Sequence, residues 1–448
     1  MTDIASVILA AGHGSRMKSA TPKVLHEIGR RSMLHHVMAM GAELGAIRQV
    51  VVVGTGGEQV SAAARAFDPD VSIAVQDPPQ GTGHAVQMAL PALEGFEGTV
   101  LVLYADTPMM KAGTAYSLID VVTKGAALSV LGFETGTLGA YGRLIENASG
   151  ELDRIVEYKD ANEAERAVTL CNAGLMAVSA ATLRKHLPHL SNENAQGEYY
   201  LTDLPGMVRE TGGRCAIVRA GMDETSGVNT RAELAAAEAV FQARRRNDAM
   251  VAGATLHDPE TVWFSHDTQI GEDVAIGQNV VFGPGVTVES GATIEAFCHL
   301  EGAHVRSGAT VGPYARLRPG TSVGEGAKIG NFVETKKAVL GEGAKVSHLT
   351  YLGDTDVGAK ANIGAGTITC NYDGYDKFKT VIGEGAFVGS NSSLVAPVKI
   401  GRGAYVGSGS VVTKSVPDDA LSVARAKQFT KSGWAASFRQ RKTSKDQE

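Results

Sequence analysis

The sequence predicts an α/β protein with two architectures in one chain, and three observations support this. The first half alternates apolar, strand-like segments with helical segments, which is typical of an open parallel sheet covered by helices. The second half repeats a six-residue pattern that fits neither an amphipathic helix nor an alternating strand. Between them, an alanine-rich segment favours one long helix.

The six-residue repeat runs from Gln269 to Val412, and its mark is an aliphatic residue usually followed by glycine. It predicts a parallel β-helix of the hexapeptide class, whose aliphatic side chains fill a narrow prism while glycine takes the corners. After a one-residue slip the pattern resumes at Val311. We expect these residues to face inward: Ile270, Ile276, Phe282, Val288, Ile294, Leu300, Val311, Leu317, Val323, Ile329, Leu340, Leu352, Ile363, Val388, Ile400 and Val406.

The composition describes a globular protein of two or three domains, since 448 residues exceed what a single core supports. A net charge of -6 disfavours a general nucleic-acid binder. The four cysteines lie far apart without a CxxC pair, which favours a reducing cytoplasm and no zinc site. The apolar run from Ile4 to Ala11 is a first strand and not a signal peptide, and no segment is long enough to cross a membrane.

The first strand, Ala5 to Ala11, leads directly into the glycine-rich segment Gly12 to Met17. A strand, a glycine turn and a helix-compatible sequence form a place where backbone amides converge on phosphate. Arg16 and Lys23 add positive charge, although a plain turn with solvated charges is the alternative. His13 in this loop is expected to face solvent.

A later strand brings Asp106 to the edge of the sheet where ligands bind in open α/β folds. An aspartate there suits a divalent metal with oxygen ligands; a helix N-cap is the alternative. Before it, Gly81 to His84 opens a helix whose N-terminus suits another anion. The strands are predicted at Gln49 to Val53, Val71 to Gln76 and Thr99 to Tyr104, with a helix at Glu58 to Ala66.

The segment Leu9 to Met17, with Pro22-Lys23, resembles the signature of sugar-phosphate nucleotidyltransferases. Further matching positions follow in the family order: Gln76, Gly81-Thr82-Gly83, Tyr104-Ala105-Asp106, Gly142, Glu157-Tyr158-Lys159, Asn172 and Gly227-Val228-Asn229. Together with the repeats, the chain resembles the bifunctional N-acetylglucosamine-1-phosphate uridylyltransferase and glucosamine-1-phosphate acetyltransferase family of bacterial cell-wall precursor synthesis. The resemblance covers all but the C-terminal tail. It implies a Rossmann-like nucleotidyltransferase domain, a left-handed β-helix and a homotrimer.

For the first half, the resemblance implies that Arg16 and Lys23 neutralise the triphosphate of UTP, and that Asp106 and Asn229 hold Mg²⁺. Gln76 and Gly81-Thr82 would surround the uracil. The implied substrate-binding set is Leu9, Ala10, Gly12, Lys23, Gln76, Gly81, Thr82, Tyr104, Asp106, Gly142, Glu157, Asn172 and Asn229, in which Gly142, Glu157 and Asn172 contact the sugar.

The connecting segment begins with a capping box, Thr230 to Glu233, and continues through the alanine-rich run to Val251. Gly253 is a natural residue for the helix end. We expect a spacer of roughly 30 Å. The Arg244 to Arg246 run favours a solvated helix face over nucleic-acid binding. The predicted domains are residues 1–229, the linker helix 230–252, the β-helix 253–426 and a flexible tail 427–448.

In the second half, the repeat breaks between Cys370 and Lys379, and a loop ejected from a solenoid is usually functional. His348 lies where polar side chains gather, and imidazole suits a base in acyl transfer to an amine. A coil of about eighteen residues would stack Arg318, Lys336 and Asp354, and likewise Arg316, Glu334 and Leu352.

For this half, the resemblance implies that His348 deprotonates the amine of glucosamine 1-phosphate, which attacks acetyl-CoA, with Glu334 orienting the imidazole. The implied binding set is Arg318, Lys336, Tyr351, Asn362, Ala365, Asn371, Tyr372, Ser390, Ser408 and Arg425. Two other functions stay open. One is a different sugar-phosphate nucleotidyltransferase, making ADP-glucose or GDP-mannose, with a purely structural β-helix. The other is a non-catalytic trimeric scaffold.

Overall fold

The computed structural model describes residues 2–12, 14–135 and 139–443, so the prediction for His13 lies outside the described residues. The chain divides into two compact units, Met1–Arg245 and Arg246–Glu448. The boundary falls inside the long helix that the alanine-rich segment predicted. None of the described helices has the length and apolar character required to cross a membrane.

The first unit is built on a nine-stranded sheet with the order β11-β7-β10-β6-β1-β4-β5, and β8 and β9 form a hairpin beside β10. Its strands are β1 Ile4–Leu9, β4 Arg48–Gly54, β5 Ser72–Gln76, β6 Thr99–Tyr104, β7 Leu128–Glu134, β8 Arg143–Glu146, β9 Leu152–Val156, β10 Leu170–Ser179 and β11 Cys215–Arg219; β2 Glu27–Ile28 and β3 Arg31–Ser32 form a separate ribbon. The central strands are parallel and β10 is antiparallel, so the predicted α/β class is confirmed.

Helices cover both faces of this sheet. They are α1 Met33–Glu43, α2 Glu58–Phe67, α3 Thr82–Ala89, α4 Ala112–Thr123, α5 Glu163–Arg166, α6 Ala180–His186, α7 Leu204–Glu210, α8 Met222–Thr225 and α9 Arg231–Val251. Successive strand residues point to opposite faces, so Val50 and Val52 of β4 enter one apolar cluster while Val51 and Val53 enter another. The strand therefore reads as continuously apolar because both of its faces are buried.

The glycine-rich loop after β1 does not open a helix, contrary to the prediction. A single 3₁₀ turn, Ser15–Met17, follows it, and a second, Lys23–Leu25, comes after Pro22. Left-handed backbone at Gly14 and Lys18 flanks the first turn and prevents its extension. The loop therefore does not present the backbone amides of a long helix N-terminus to a ligand.

Helix α9 is more than a spacer, because its first half packs on the first unit. Ala237 and Phe241 are buried with Ile28, Met33 and Val228. The predicted capping box is present, since Glu233 N donates to Thr230 Oγ1 at 3.2 Å and Thr230 N donates to Glu233 Oε2 at 2.8 Å.

The arginine run in α9 is not a solvated face, contrary to the prediction. Arg244 Nη1 donates to the carbonyl of Met109 at 2.6 Å, and its Nη2 contacts Asp223 Oδ2 at 2.8 Å. Arg246 Nε donates to the carbonyl of Val262 at 2.9 Å. The Arg244 guanidinium therefore contacts residues of the first unit, and the Arg246 guanidinium contacts a residue of the second.

The second unit is a parallel β-helix of short strands. They are β12 Thr255–Leu256, β13 Gln269–Ile270, β14 Ala275–Ile276, β15 Val281–Phe282, β16 Thr287–Val288, β17 Thr293–Ile294, β18 His299–Leu300, β19 Ala303–Val305, β20 Thr310–Val311, β21 Arg316–Leu317, β22 Thr321–Val323, β23 Lys328–Asn331, β24 Glu334–Leu340, β25 Lys345–His348, β26 Tyr351–Val357, β27 Asn362–Ile363, β28 Ile368–Cys370, β29 Thr380–Ile382, β30 Phe387–Val388, β31 Ser393–Val395, β32 Val398–Ile400, β33 Tyr405–Val406, β34 Val411–Val412 and β35 Leu421–Ser422.

The predicted inward residues form one continuous core, and all of them are buried except Ile270, which is partly buried against it. The one-residue slip is visible as Val305, buried five residues after Leu300. The eighteen-residue stacking holds for Arg316 and Glu334 but not for the next coil. There Glu334 pairs with Tyr351 and not Leu352, because that coil is one residue shorter.

A similar correction applies to Lys336, which pairs with Gly353 and not with Asp354. After the last strand, the region predicted to be a flexible tail contains an exposed helix, α10 Trp434–Thr443.

Candidate active sites

A cleft of about 290 Å³ opens at the carboxyl ends of β1, β5 and β6 in the first unit. Nine residues of the predicted set line it together: Leu9, Ala10, Gly12, Lys23, Gln76, Gly81, Thr82, Tyr104 and Asp106. Five further lining residues were not predicted: Ala11, Val24, Pro79, Ala85 and Glu198. Parallel strands end at one edge, which explains why residues far apart in sequence meet here.

At one end of the cleft, the Lys23 ammonium lies between two oxygen atoms. It forms an ion pair with Asp106 Oδ2 and donates to Asn229 Oδ1 at 3.1 Å. A backbone hydrogen bond holds Asp106 and Asn229 close together, because Val228 N, next to Asn229, donates to the carbonyl of Asp106 at 2.8 Å. The Lys23 side chain is only 10% exposed, so the ion pair is largely shielded from water.

Gly14 supports the position of Lys23. Its φ is +59°, and a Cβ at this residue would lie 2.5 Å from Lys23 Cβ. A side chain therefore cannot fit here without displacing the lysine stem. Arg16, the other predicted cation, is exposed in the Ser15–Met17 turn and is not among the described residues that line the cleft.

The far end of the cleft is shaped by Gly81 and Gln76. Gly81 has a φ of +102°, and a Cβ there would lie 2.6 Å from the carbonyl of Tyr199. Gln76 Nε2 donates to the carbonyl of Gly81 at 2.8 Å, which fixes the orientation of the amide. The remaining Gln76 oxygen acceptor suits a planar ligand that presents an N–H group.

Gly142, Glu157 and Asn172, which the sequence predicts to contact the sugar, lie together as a second group. Asn172 N donates to the carbonyl of Gly142 at 2.8 Å, and a Cβ on Gly142 would lie 3.6 Å from Glu157 Oε2. Burial raises the pKa of Glu157 above its usual value, although a hydrogen bond from Thr202 opposes this. Tyr104 lines the cleft and also lies near Glu157 of this group. Burial, and secondly the negative charge of Glu157, raise the pKa of the Tyr104 phenol.

In the second unit, His348 ends strand β25 and is exposed. Its Nδ1 contacts Oδ1 of Asn331, which occupies the paired position on β23. The sequence predicted Glu334 as the orienting residue. Glu334 Oε1 instead accepts from Arg318 Nη1 at 3.0 Å, with Arg316 at 3.9 Å, so the structure pairs this carboxylate with arginine.

Arg318 and Lys336 lie close enough to influence each other, and a third cation, Lys377, joins them. The positive charge of Lys377 and then that of Arg318 lower the pKa of Lys336. Lys377 comes from the ejected loop, whose ends are closed by a hydrogen bond from Phe378 N to the carbonyl of Asn371 at 2.8 Å. The break in the repeat predicted that this loop is functional, but no role was predicted for Lys377. Three clustered cations suit a phosphate.

Tyr351 and Asn371 converge above Gly353. A Cβ on Gly353 would lie 2.6 Å from the Tyr351 hydroxyl and 2.7 Å from Asn371 Nδ2. Asn371 Nδ2 also donates to Asp354 Oδ2 at 2.6 Å. Tyr372 is exposed at the start of the ejected loop. The missing side chain of Gly353 therefore leaves space where the two polar side chains meet.

The other predicted residues of this half form a column along one corner of the β-helix. Asn391 N donates to the carbonyl of Ala365 at 2.7 Å, and Gly409 N donates to the carbonyl of Ser390 at 2.8 Å. Arg425 Nη1 then donates to the carbonyl of Ser408 at 2.8 Å. Asn362 pairs with Lys345 on the strand that carries His348. The column reaches His348 through a hydrogen bond from Gly366 N to its carbonyl at 3.2 Å.

Comparison with known families agrees with this division of the chain. Residues 6–201 match the MobA-like NTP transferase domain. Residues 267–302 and 379–414 match the bacterial transferase hexapeptide family of six repeats. These matches confirm the nucleotidyltransferase fold and the left-handed hexapeptide β-helix that the sequence predicted.

Curated relatives match this chain over nearly their whole length and nearly all of its own. The bifunctional protein GlmU of Paracoccus denitrificans is 56% identical over 437 residues, covering 98% of this chain and 97% of that protein. The proteins of the same name from Azorhizobium caulinodans and Zymomonas mobilis are 54% and 48% identical, covering 97% and 98% of this chain and 96% and 98% of their own lengths. The chain therefore belongs to the GlmU family and is a bifunctional transferase of UDP-N-acetylglucosamine synthesis, combining a nucleotidyltransferase with an acetyltransferase.

Proposed function

We propose that the cleft of the first unit transfers UMP from UTP to N-acetylglucosamine 1-phosphate. An oxygen of the sugar phosphate attacks the α-phosphorus, a new P–O bond forms and pyrophosphate leaves. This chemistry requires alignment and positive charge more than covalent help from the protein. The observation that carries the proposal is the Lys23 ammonium held between Asp106 and Asn229 at the mouth of a nucleotide-sized cleft.

Asp106 and Asn229 also suit Mg²⁺. Both present oxygen atoms, and both already converge on a cation, the ammonium of Lys23. Mg²⁺ prefers oxygen ligands and takes its remaining ones from water and substrate phosphates. When bound, Mg²⁺ would neutralise phosphate charge. Lys23 is then free to donate to a phosphate oxygen.

The remaining groups of this unit align the two substrates. In this proposal Gln76, Gly81 and Thr82 hold the uracil, and the group of Gly142, Glu157 and Asn172 holds the sugar. Leu9, Ala10, Gly12 and Tyr104 form the walls that the two substrates share. Arg16 lies in an exposed turn beside the cleft residue Gly12, and in this proposal it contacts the triphosphate of the bound nucleotide.

The second unit acetylates glucosamine 1-phosphate with acetyl-CoA in this proposal. His348 Nε2 takes a proton from the amine, the nitrogen attacks the thioester carbonyl, and the C–N bond forms as the C–S bond breaks. The proton then passes to the sulfur of the departing CoA. Arg318 and Lys336 hold the sugar phosphate, with Lys377 as a third cation.

Two other sets of residues complete this site. Tyr351, Asn362, Asn371 and Tyr372 line the sugar pocket, and the column of Ala365, Ser390, Ser408 and Arg425 faces CoA.

The assembly and location are part of the same proposal. The flat faces of a β-helix suit a homotrimer with each acetyl-transfer site at a subunit boundary. The four cysteines are all free thiols, which suits a reducing cytoplasm. The domains are proposed at residues 1–229, 230–252 and 253–426, followed by the tail 427–448.

Two single variants of the full-length chain test both activities, because each variant serves as the control for the other. Asp106→Asn should lose most of its UDP-N-acetylglucosamine formation from UTP and N-acetylglucosamine 1-phosphate, should need more Mg²⁺ for the activity that remains, and should keep acetyl transfer. His348→Ala should show the opposite pattern, measured as release of free CoA thiol. If each variant loses both activities or neither, the assignment of two separate sites is wrong.

A further inference from the structure

We infer that Asn331 is a positioning residue that fixes the tautomer of His348, so that Nε2 is the nitrogen that accepts the proton from the amine. This inference rests on the proposed role of His348 as the base. It assigns a role to a residue whose role could not be predicted from the sequence, and it replaces Glu334 in the role of orienting the imidazole.

The contact between the two side chains is built into the β-helix. Asn331 and His348 are the last residues of two short parallel strands, and they occupy paired positions. The preceding pair, Ile329 and Val346, is fully buried in the prism core. A shift of one strand along the other would expose these apolar side chains, so the register that joins Asn331 to His348 is strongly determined.

The chemistry of the contact determines the tautomer. The Asn331 atom that meets His348 Nδ1 is the amide oxygen Oδ1, which accepts hydrogen bonds and cannot donate them. Nδ1 must therefore carry the proton in this contact. In a neutral imidazole the other ring nitrogen is then an acceptor, so the lone pair of Nε2 is available to a substrate amine.

The nearby carboxylate does not serve this purpose. Glu334 accepts from Arg318 at 3.0 Å and lies 3.9 Å from Arg316, so its charge is balanced by guanidinium groups. An amide partner differs from a carboxylate because it is uncharged. It orients the ring without the added attraction for an imidazolium that an anion would exert. The amide therefore fixes the orientation of the ring through Nδ1.

The experiment uses the full-length protein and three variants: Asn331→Ala, Asn331→Asp and, as a matched control, Lys328→Ala from the same strand. For Asn331→Ala we expect the kcat of acetyl transfer to fall by at least about tenfold, with both KM values nearly unchanged. Asn331→Asp keeps an oxygen acceptor and should retain far more activity. Lys328→Ala should resemble the unaltered protein, and the free energy of unfolding of the β-helix in each variant reports its folding.

A spectroscopic measurement separates positioning from a general structural role. In ¹⁵N-histidine-labelled protein, the His348 signals are assigned by their loss in His348→Ala. Nδ1 should have the shift of a protonated nitrogen in the unaltered protein and in Asn331→Asp, and an averaged shift in Asn331→Ala. An additional variant, Asn331→Leu, is nearly isosteric but has no acceptor; it should behave as Asn331→Ala does, and it decides the question when the alanine variant folds poorly.

The outcomes distinguish this inference from the proposed function. An unchanged kcat and tautomer in Asn331→Ala, with His348→Ala inactive, would overturn only the role of Asn331. A loss that appears in KM alone would also overturn it, because it would place Asn331 in substrate binding. Acetyl transfer that survives in His348→Ala would overturn the proposed base and this inference together.

Discussion

Lys23 reaches its two oxygen partners because the residues around it leave its side chain little freedom. Proline precedes it, the largely shielded ammonium contacts Asp106 and Asn229, and the backbone of Gly14 packs against its Cβ. A single cation held in this way presents a fixed charge to a ligand without reorganisation. Preorganised charge of this kind is the largest contribution to catalysis of phosphoryl transfer.

Gly14→Ala should therefore impair the first unit. The substitution places a side chain on left-handed backbone, which costs about 1–2 kcal/mol, and brings a methyl group against Lys23 Cβ. We expect uridylyltransferase kcat to fall severalfold while acetyl transfer is unchanged. Gly45→Ala is the control, because Gly45 has a φ of +74° with no neighbouring atom within 4 Å of the added Cβ. Equal losses of activity in the two variants would show that strain, and not Lys23, is responsible.

At the scale of elements, helix α9 contributes to the first unit at two levels. Its N-terminal cap follows Asn229 directly, and Glu233 Oε2 accepts from Asn229 N at 2.7 Å. Farther along, Arg244 holds the carbonyl of Met109, three residues beyond Asp106. The helix thus holds the backbone at Asn229 and the segment that follows Asp106, the two residues whose oxygen atoms contact Lys23.

Arg244→Gln should loosen the segment that follows Asp106. We expect a severalfold increase in the Mg²⁺ concentration needed for half-maximal uridylyl transfer, with acetyl transfer unchanged. Arg184→Gln is a matched control, since Arg184 also contacts a backbone carbonyl, that of Phe96 at 2.6 Å, and a carboxylate, that of Glu97 at 2.8 Å. Its partners, unlike Met109, do not belong to the segment that follows Asp106. The same Mg²⁺ response in both variants would contradict the role given to Arg244.

Elements with a strong period could be predicted from the sequence, whereas contacts that depend on coil length could not. The residues predicted to face inward are all buried or partly buried, because one aliphatic residue per side is the minimum needed to fill the prism; other core residues, such as Val305, Val346 and Val357, were not predicted. Asn331 was not linked to His348 because the two residues pair at a separation of seventeen residues and not eighteen. Lys377 was assigned no role because nothing in the loop sequence shows that it folds back toward Lys336.

On the scale of the whole molecule, the chain divides within α9, and each unit has its own core. The first half of the helix belongs to the first unit, because Phe241 is only 8% exposed against Ile28 and Met33. The linker is therefore part of an active domain, and a cut at its start differs physically from a cut at its end.

A chain ending at residue 252 should keep uridylyl transfer, and a chain ending at residue 229 should lose it. Removal of the helix exposes the cluster around Ile28, and loss of Phe241 alone corresponds to about 3–5 kcal/mol. The measurements are uridylyl transfer and the free energy of unfolding of each fragment. Phe241→Ala in the full-length chain, which should lower the stability of the first unit only, is the companion variant. Equal activity in the two fragments would show that the helix is dispensable.

The five-residue step between Leu300 and Val305 shows that a coil can lose one residue and still point the next aliphatic side chain inward. Corners, then, tolerate changes in chain length that faces do not. A one-residue deletion or insertion at a corner near His348 would leave the hydrophobic interior filled while sliding polar side chains past one another on the outside. Substrate preference in such a solenoid can consequently change through the length of its turns, with little cost to the fold.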